Sequence, residues 1–167
     1  MRKWMATSKD PALTMLRGVV GVVFFAHGAQ KMLGWFGGPG FSGTLKGFSA
    51  FLHIPPPLTL LVIAAEFLGG LALIAGLFTR VAAAGTAVNM AVAVALVHLP
   101  NGFFMNWTGA QKGEGFEYHL LAIAAAVVLM LRGGGAWSLD RALARPERAS
   151  PVRLAPEADR PALSRTA

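Results

Sequence analysis

The stretch that decides the fold is residues 17–35, RGVVGVVFFAHGAQKMLGW. It is apolar enough to span a bilayer, yet Arg17, His27 and Lys31 lie within it or at its ends. At 100° per residue, Arg17 and Lys31 lie about 40° apart around the helix, and His27 lies about 40° to the other side of Lys31. Because an ionisable group in hydrocarbon costs at least ~2.5–3.5 kcal/mol, this basic face should meet other helices or a wet cavity.

A second interpretation stays open for the two cations. Arg17 and Lys31 lie near the two ends of the span, so their long side chains can also reach the lipid headgroups while their stems remain in hydrocarbon. The side chain of His27 is too short to reach far. His27 is therefore the residue in this span that most needs a polar environment inside the protein.

The composition is that of a small membrane protein with several spans. Of 167 residues, 54% are hydrophobic and 14% are charged, whereas a soluble domain carries about 25% charged residues. The absence of cysteine excludes disulfides, thiol chemistry and thiolate metal sites. The net charge of +7 flanks the apolar runs, which favours contact with anionic lipid and argues against nucleic acid as a partner.

The apolar runs predict an all-α fold, a four-helix bundle that crosses the lipid bilayer four times. A basic leader at 1–11 precedes a membrane domain at 12–145, and a tail at 146–167, with few large apolar residues, is expected to be disordered and to bind anionic lipid. After residue 40, apolar residues recur at helical spacing, which predicts a short amphipathic helix in the first connector. The spans are expected at about 12–33, 58–78, 81–99 and 116–131.

The distribution of Lys and Arg predicts the orientation of the chain. Both chain ends and the short turn at Thr79–Arg80 are basic, whereas the two long connectors contain only Lys46 and Lys112. Basic segments stay on the cytoplasmic side of a membrane. We therefore expect a multi-pass protein of the inner (plasma) membrane with both termini in the cytoplasm and both long connectors outside.

The outer half of this predicted bundle collects most of the ionisable groups. Glu66 lies about eight residues, roughly 12 Å, in from the outer end of its span, a depth similar to that of His27. We predict that Glu66 pairs with His27 or Lys31 and that these groups line one outward-facing cavity. The alternative is that the same contacts only fix helix register, which is the role we assign to Asn89. Three further ionisable residues of this predicted cluster lie in the outermost one or two turns of their spans: His98, Glu117 and His119.

Residue spacing argues against a metal or a haem at this cluster. There is no HExxH motif, and Glu117 and His119 are two positions apart, which places them on different faces of a helix. No P-loop, dinucleotide-binding fingerprint or catalytic triad is present either. No metal ligands are predicted.

Three stretches, in this order, resemble the DoxX family of small four-helix membrane proteins. They are RGVVGVVFFAHGAQKMLGWFG, AAEFLGGLALIAGLFTRVAA and EYHLLAIAAAVVLMLRGGGAWSLDRAL. They contain an acid-Gly-Gly span, a Thr-Arg turn and a Gly-rich segment that ends in Ser-Leu-Asp. The resemblance covers about residues 12–143.

The resemblance implies a quinone-linked redox context, because the family takes its name from the small membrane subunit of a thiosulfate:quinone oxidoreductase. By that analogy His27 and Glu66 would exchange protons with a quinone ring, and Lys31, His98, Glu117 and His119 would bind it. The chain has no redox motif of its own, so electrons would come from a bound substrate or a partner oxidoreductase subunit.

Two other classes of function remain open. One is a non-catalytic membrane anchor or assembly subunit, which predicts a dry core. The other is a small-solute carrier, which predicts an aqueous path to the inner side near Arg17. A quinone site predicts instead a lipid-accessible slot between spans beside His27 and Glu66.

Overall fold

The structure, a computed structural model, describes residues 5 and 7–144, and its regular elements in that part of the chain are all helices. The predicted all-α class is therefore confirmed there. The predicted tail at 146–167 lies outside the described residues, as do residues 1–4 and 6 of the leader. The α-helices are α1 Pro11–Leu33, α2 Gly40–Leu52, α3 Pro56–Ala75, α4 Thr79–Ala93, α5 Glu117–Arg132 and α6 Leu139–Ala144.

The ends of α1 and α3 follow from local sequence. The Asp10 carboxylate accepts a hydrogen bond from the Ala12 amide at 2.9 Å, and Pro11 occupies the first helical position. Gly34 ends α1 and Gly76 ends α3, both in the left-handed conformation that helix C-termini favour (φ 76° and 70°). The amphipathic helix α2 lies in the first connector, between α1 and α3.

The turn between α3 and α4 lies at residues 76–78, just before the predicted position at Thr79–Arg80. The N-terminal cap of α4 comes from a distant part of the chain. The Asp140 carboxylate, in α6, accepts hydrogen bonds from the amides of Phe78 (2.6 Å) and Thr79 (2.8 Å). Because those amides have no partner inside α4, this contact starts the helix at Thr79.

Glycines bring α1 and α3 into close contact. A Cβ atom on Gly28 would lie 2.3 Å from the Phe67 nitrogen, and one on Gly70 would lie 2.4 Å from the Phe25 nitrogen. No larger residue fits, so the two backbones approach closely, and α1 packs on α3 more extensively than on any other described helix. Helix α4 packs mainly on α5, and the α3–α4 hairpin joins the two pairs into one bundle.

Arg17 ties one end of this bundle together. Its guanidinium is buried (3% exposed) and donates to the carbonyls of Leu73 and Ile74 at the end of α3. It also donates to the carbonyls of Gly134 and Trp137, in the loop after α5, at 2.9 Å each. The side chain therefore points into the protein rather than toward headgroups, and this packing does not favour a carrier path at that end.

Within the described residues, three helical segments are long and apolar enough to cross a membrane: Pro11–Leu33, Pro56–Ala75 and Thr79–Asn101. The last combines α4 with a π-helical turn, Val94–His98, and a 3-10 turn, Leu99–Asn101. Helix α5 has 16 residues, so it extends about 24 Å, less than the ~30 Å of a hydrocarbon core. The expected membrane character is thus confirmed by three helices.

Candidate functional site

Three helices bring a lysine, a glutamate and an asparagine together inside the bundle. The Lys31 ammonium of α1 lies 2.6 Å from Oε2 of Glu66 in α3. The side-chain amide of Asn89, in α4, donates to Oε1 of Glu66 at 2.9 Å. Of the two partners predicted for Glu66, the structure therefore shows Lys31. Both carboxylate oxygens are engaged, and Glu66 is only 5% exposed.

This cluster forms part of the wall of a cavity of about 530 Å³. Most of the wall is apolar, with contributions from Phe24, Phe48 and Met90 among others. A mostly apolar cavity with a few polar groups is typical of a site that holds a small organic molecule. The side chains on its wall that can form hydrogen bonds come from His27, Lys31, Glu66, Asn89, His98, Glu114, Tyr118 and His119.

Two stacked histidines occupy another part of the cavity wall. The rings of His98 and His119 have centroids 3.9 Å apart and planes inclined by 40°. Nδ1 of His98 lies 2.9 Å from the Glu114 carbonyl oxygen, which holds that ring to the second connector. His119 is 6% exposed, and its Nδ1 has no hydrogen-bond partner in the described part of the chain. The ring of His119 contributes to the cavity wall, but Nδ1 itself is enclosed by protein, so it is a costly unsatisfied group and not an open donor toward the cavity.

The structure places His27 and Glu117 differently from the other predicted site residues. His27 lines the cavity but is exposed, and it forms no hydrogen bond or ion pair with the described residues. Glu117 does not line the cavity. Its Oε1 accepts hydrogen bonds from the Met105 amide (3.0 Å) and the Trp107 indole (3.2 Å), so it stabilises the second connector.

Tyr118, Met105 and Glu114 are among the cavity-wall residues that sequence reasoning did not assign to the site. Tyr118 precedes His119 at the start of α5, and that adjacency was the available signal. Met105 and Glu114 come from the irregular second connector, where no periodicity indicates which side chains face inward. Asn89, assigned to helix register, holds the Glu66 carboxylate and so belongs to the site as well.

No three His, Cys, Asp or Glu side chains within residues 7–144 are arranged to hold a metal ion. Lys31, Glu66 and the histidines of the cavity wall can form hydrogen bonds and exchange protons. A positive group, a carboxylate and imidazole rings all line one apolar space. Such a set can bind a compact ring that carries hydrogen-bond acceptors.

Comparisons with known proteins agree with the resemblance noted in the sequence. A family model described as DoxX matches residues 12–99, a range that includes Lys31, Glu66 and Asn89. The chain is 27% identical over 136 residues to "Putative oxidoreductase CatD" of Bacillus subtilis (strain 168), which covers 81% of this chain and 90% of that protein. No solved structure matches the chain. Because the family model matches more than half of the residues of this chain, the chain belongs to the DoxX family.

Proposed function

We propose that this protein binds the ring of a membrane quinone in its cavity and acts as a membrane subunit or accessory of a quinone-linked oxidoreductase. The observation that carries the proposal is the Lys31–Glu66–Asn89 cluster on the wall of an otherwise apolar cavity. The name of the CatD relative, an oxidoreductase, supports a redox role. Electrons would reach the site from a partner oxidoreductase subunit or a bound substrate.

The polar groups on the cavity wall suit a flat ring with two carbonyl oxygens. A bound quinone supplies an acceptor for two electrons and two protons. Lys31 uses one of its three N–H donors on Glu66, which leaves others for a carbonyl oxygen. The imidazole of His119, on the same wall, can donate to the second oxygen in the appropriate tautomer.

The remaining residues of the cluster serve protonation and positioning. Glu66 and His27 both line the cavity, and His27 also reaches the surface, so together they can pass protons between solvent and the ring. His98 stacks on His119 and fixes the plane of its ring. Glu117 acts indirectly, because it holds the connector segment that places Met105 on the cavity wall.

The membrane arrangement that fits this role has four crossings. Helix α5 packs along α4 and would complete the bundle despite its short length. The bias of Lys and Arg supports cytoplasmic termini in the plasma membrane, with the cavity opening outward. Binding of anionic lipid by the basic tail remains a prediction, since residues 146–167 lie outside the described part of the chain.

The test measures the quinone bound to protein purified in mild detergent, by extraction and absorbance, with and without added quinone. The variants are Glu66→Gln, which releases the Lys31 ammonium from its position, and His119→Phe, which keeps the ring stack but removes Nδ1. Loss of one charge-assisted hydrogen bond costs about 1.5–3 kcal/mol, so each variant should bind roughly ten- to a hundredfold more weakly. Asp10→Asn is the matched acid-to-amide control, because Asp10 is exposed and Asn caps a helix equally well.

His119→Phe separates a binding role from a structural one. Its unpaired nitrogen contributes nothing to folding, so the variant should be at least as stable as the wild type while it loses quinone. If the wild type binds no quinone, or if folded Glu66→Gln and His119→Phe proteins bind it normally, the proposal is wrong. A stable wild type without quinone would favour the anchor or assembly role.

A further inference from the structure

An apolar groove runs along the outside of the bundle between α3 and α4. Its volume is about 700 Å³, and apart from Asn89 its walls consist of apolar side chains and glycine. The groove is not separate from the polar cavity. Both spaces share five wall residues: Ile54, Val62, Asn89, Val92 and Leu96.

Small residues create this groove. Ala64, Ala65 and Gly69 line it from α3, and Ala84 and Gly85 line it from α4. A Cβ atom on Gly85 would meet only the Ala65 Cβ, at 3.7 Å, and one on Gly69 would meet only the Ala64 carbonyl oxygen, at 3.9 Å. Unlike Gly28 and Gly70, which allow two helices to touch, these glycines leave open space. The groove therefore has room for an extended apolar chain.

The boundary between groove and cavity includes side chains at the surface of the bundle. Val92 and Leu96 are both exposed in the structure. Leu96 also lies in the π-helical turn Val94–His98, an irregularity that is frequent at functional sites. Asn89 adds one polar group on this boundary, with its amide directed to Glu66. A ligand with a polar head and an apolar tail matches this arrangement, in which a cavity with polar groups lies next to an apolar groove.

We infer that the α3–α4 groove holds the long apolar tail of the quinone whose ring occupies the cavity. The inference rests on the proposed function, because it assigns the ring to the cavity. Lipid chains are as apolar as the groove, so the groove adds little affinity by itself. Its role is steric: a tail attached to a buried ring must leave the cavity somewhere, and this groove adjoins the cavity along five shared wall residues.

The experiment compares two probes, a benzoquinone with a decyl tail and the same ring without the tail, in nanodiscs of phosphatidylcholine. Gly85→Leu fills the groove with a branched side chain at a position where the backbone tolerates one. Gly69→Leu fills it from the other helix and serves if the first variant fails to fold. Gly18→Leu is the matched control, because a Cβ there meets no atom within 4 Å and Gly18 lies outside the groove.

The groove-filling variant should bind the decyl quinone at least about tenfold more weakly, the scale on which an overfilled site loses affinity. Binding of the tail-less ring should stay unchanged, and Gly18→Leu should affect neither probe. A photoreactive group at the end of the tail should label α3 or α4. Unchanged decyl binding in folded Gly85→Leu and Gly69→Leu, with labelling of other helices, would overturn the inference and leave the proposed function standing. If the wild type binds neither probe, the proposed function itself fails.

Discussion

Lys31→Met tests the buried ion pair at the centre of the cavity wall. The variant leaves the Glu66 carboxylate, whose side chain is 6% exposed, with Asn89 as its one remaining partner in the described part of the chain. A buried charge that loses its counter-ion costs about 3–5 kcal/mol, and the bond from Asn89 lowers this toward the smaller value. We therefore expect Lys31→Met to reduce the free energy of unfolding by about 3 kcal/mol.

The reciprocal change, Glu66→Gln, should reduce the free energy of unfolding much less. In Glu66→Gln the new amide oxygen can still accept the bond from Asn89, and Lys31, whose side chain is 21% exposed, can turn its ammonium toward water. That variant should lose about 1 kcal/mol, as for one ordinary hydrogen bond. The double variant removes both charges, so with a coupling energy of about 2 kcal/mol it should lose about 2 kcal/mol, half the sum of the two single losses.

The assay is equilibrium unfolding in mixed micelles of mild detergent and dodecyl sulfate, followed by helical circular dichroism. Lys46→Met is the matched control, because Lys46 is exposed on α2 and outside the cavity, and it should change stability by less than about 0.5 kcal/mol. If the two single losses are equal and simply add in the double variant, Lys31 and Glu66 do not interact and the site geometry is wrong.

Three further predictions use the same unfolding assay on contacts away from the cavity. Arg17→Met should cost roughly 3 kcal/mol or more, because four carbonyls lose a charged donor; full stability would contradict the buried arrangement. Gly28→Ala should cost at least about 1–3 kcal/mol by forcing α1 from α3, whereas Gly18→Ala, in open space, should be neutral or stabilising. Asp140→Ala should cost about 1–2 kcal/mol as a lost cap of α4, and an equal loss in Asp140→Asn would show that charge rather than capping matters.

Much of the helical framework could be predicted from sequence, since apolar runs and their Gly and Pro boundaries act over a few residues. Asp10 and Gly34 define α1 by local hydrogen bonding and backbone conformation. The membrane character followed from composition, because exposing long apolar helices to water is unfavourable. Even the collection of polar groups in one half of the bundle was visible, as depth along a helix is a count of residues.

The partners of those polar groups depended on tertiary structure. Whether Glu66 meets His27 or Lys31 is set by how α1 and α3 slide and rotate, and Gly28 and Gly70 fix that through backbone contact. Glu117 and His119 are two residues apart, yet one binds the connector and the other faces the cavity. Sequence determined which groups lie at a similar height along their helices, because that is local geometry. Only the packing of distant helices decided which of them touch, because the shapes of two surfaces together determine a contact.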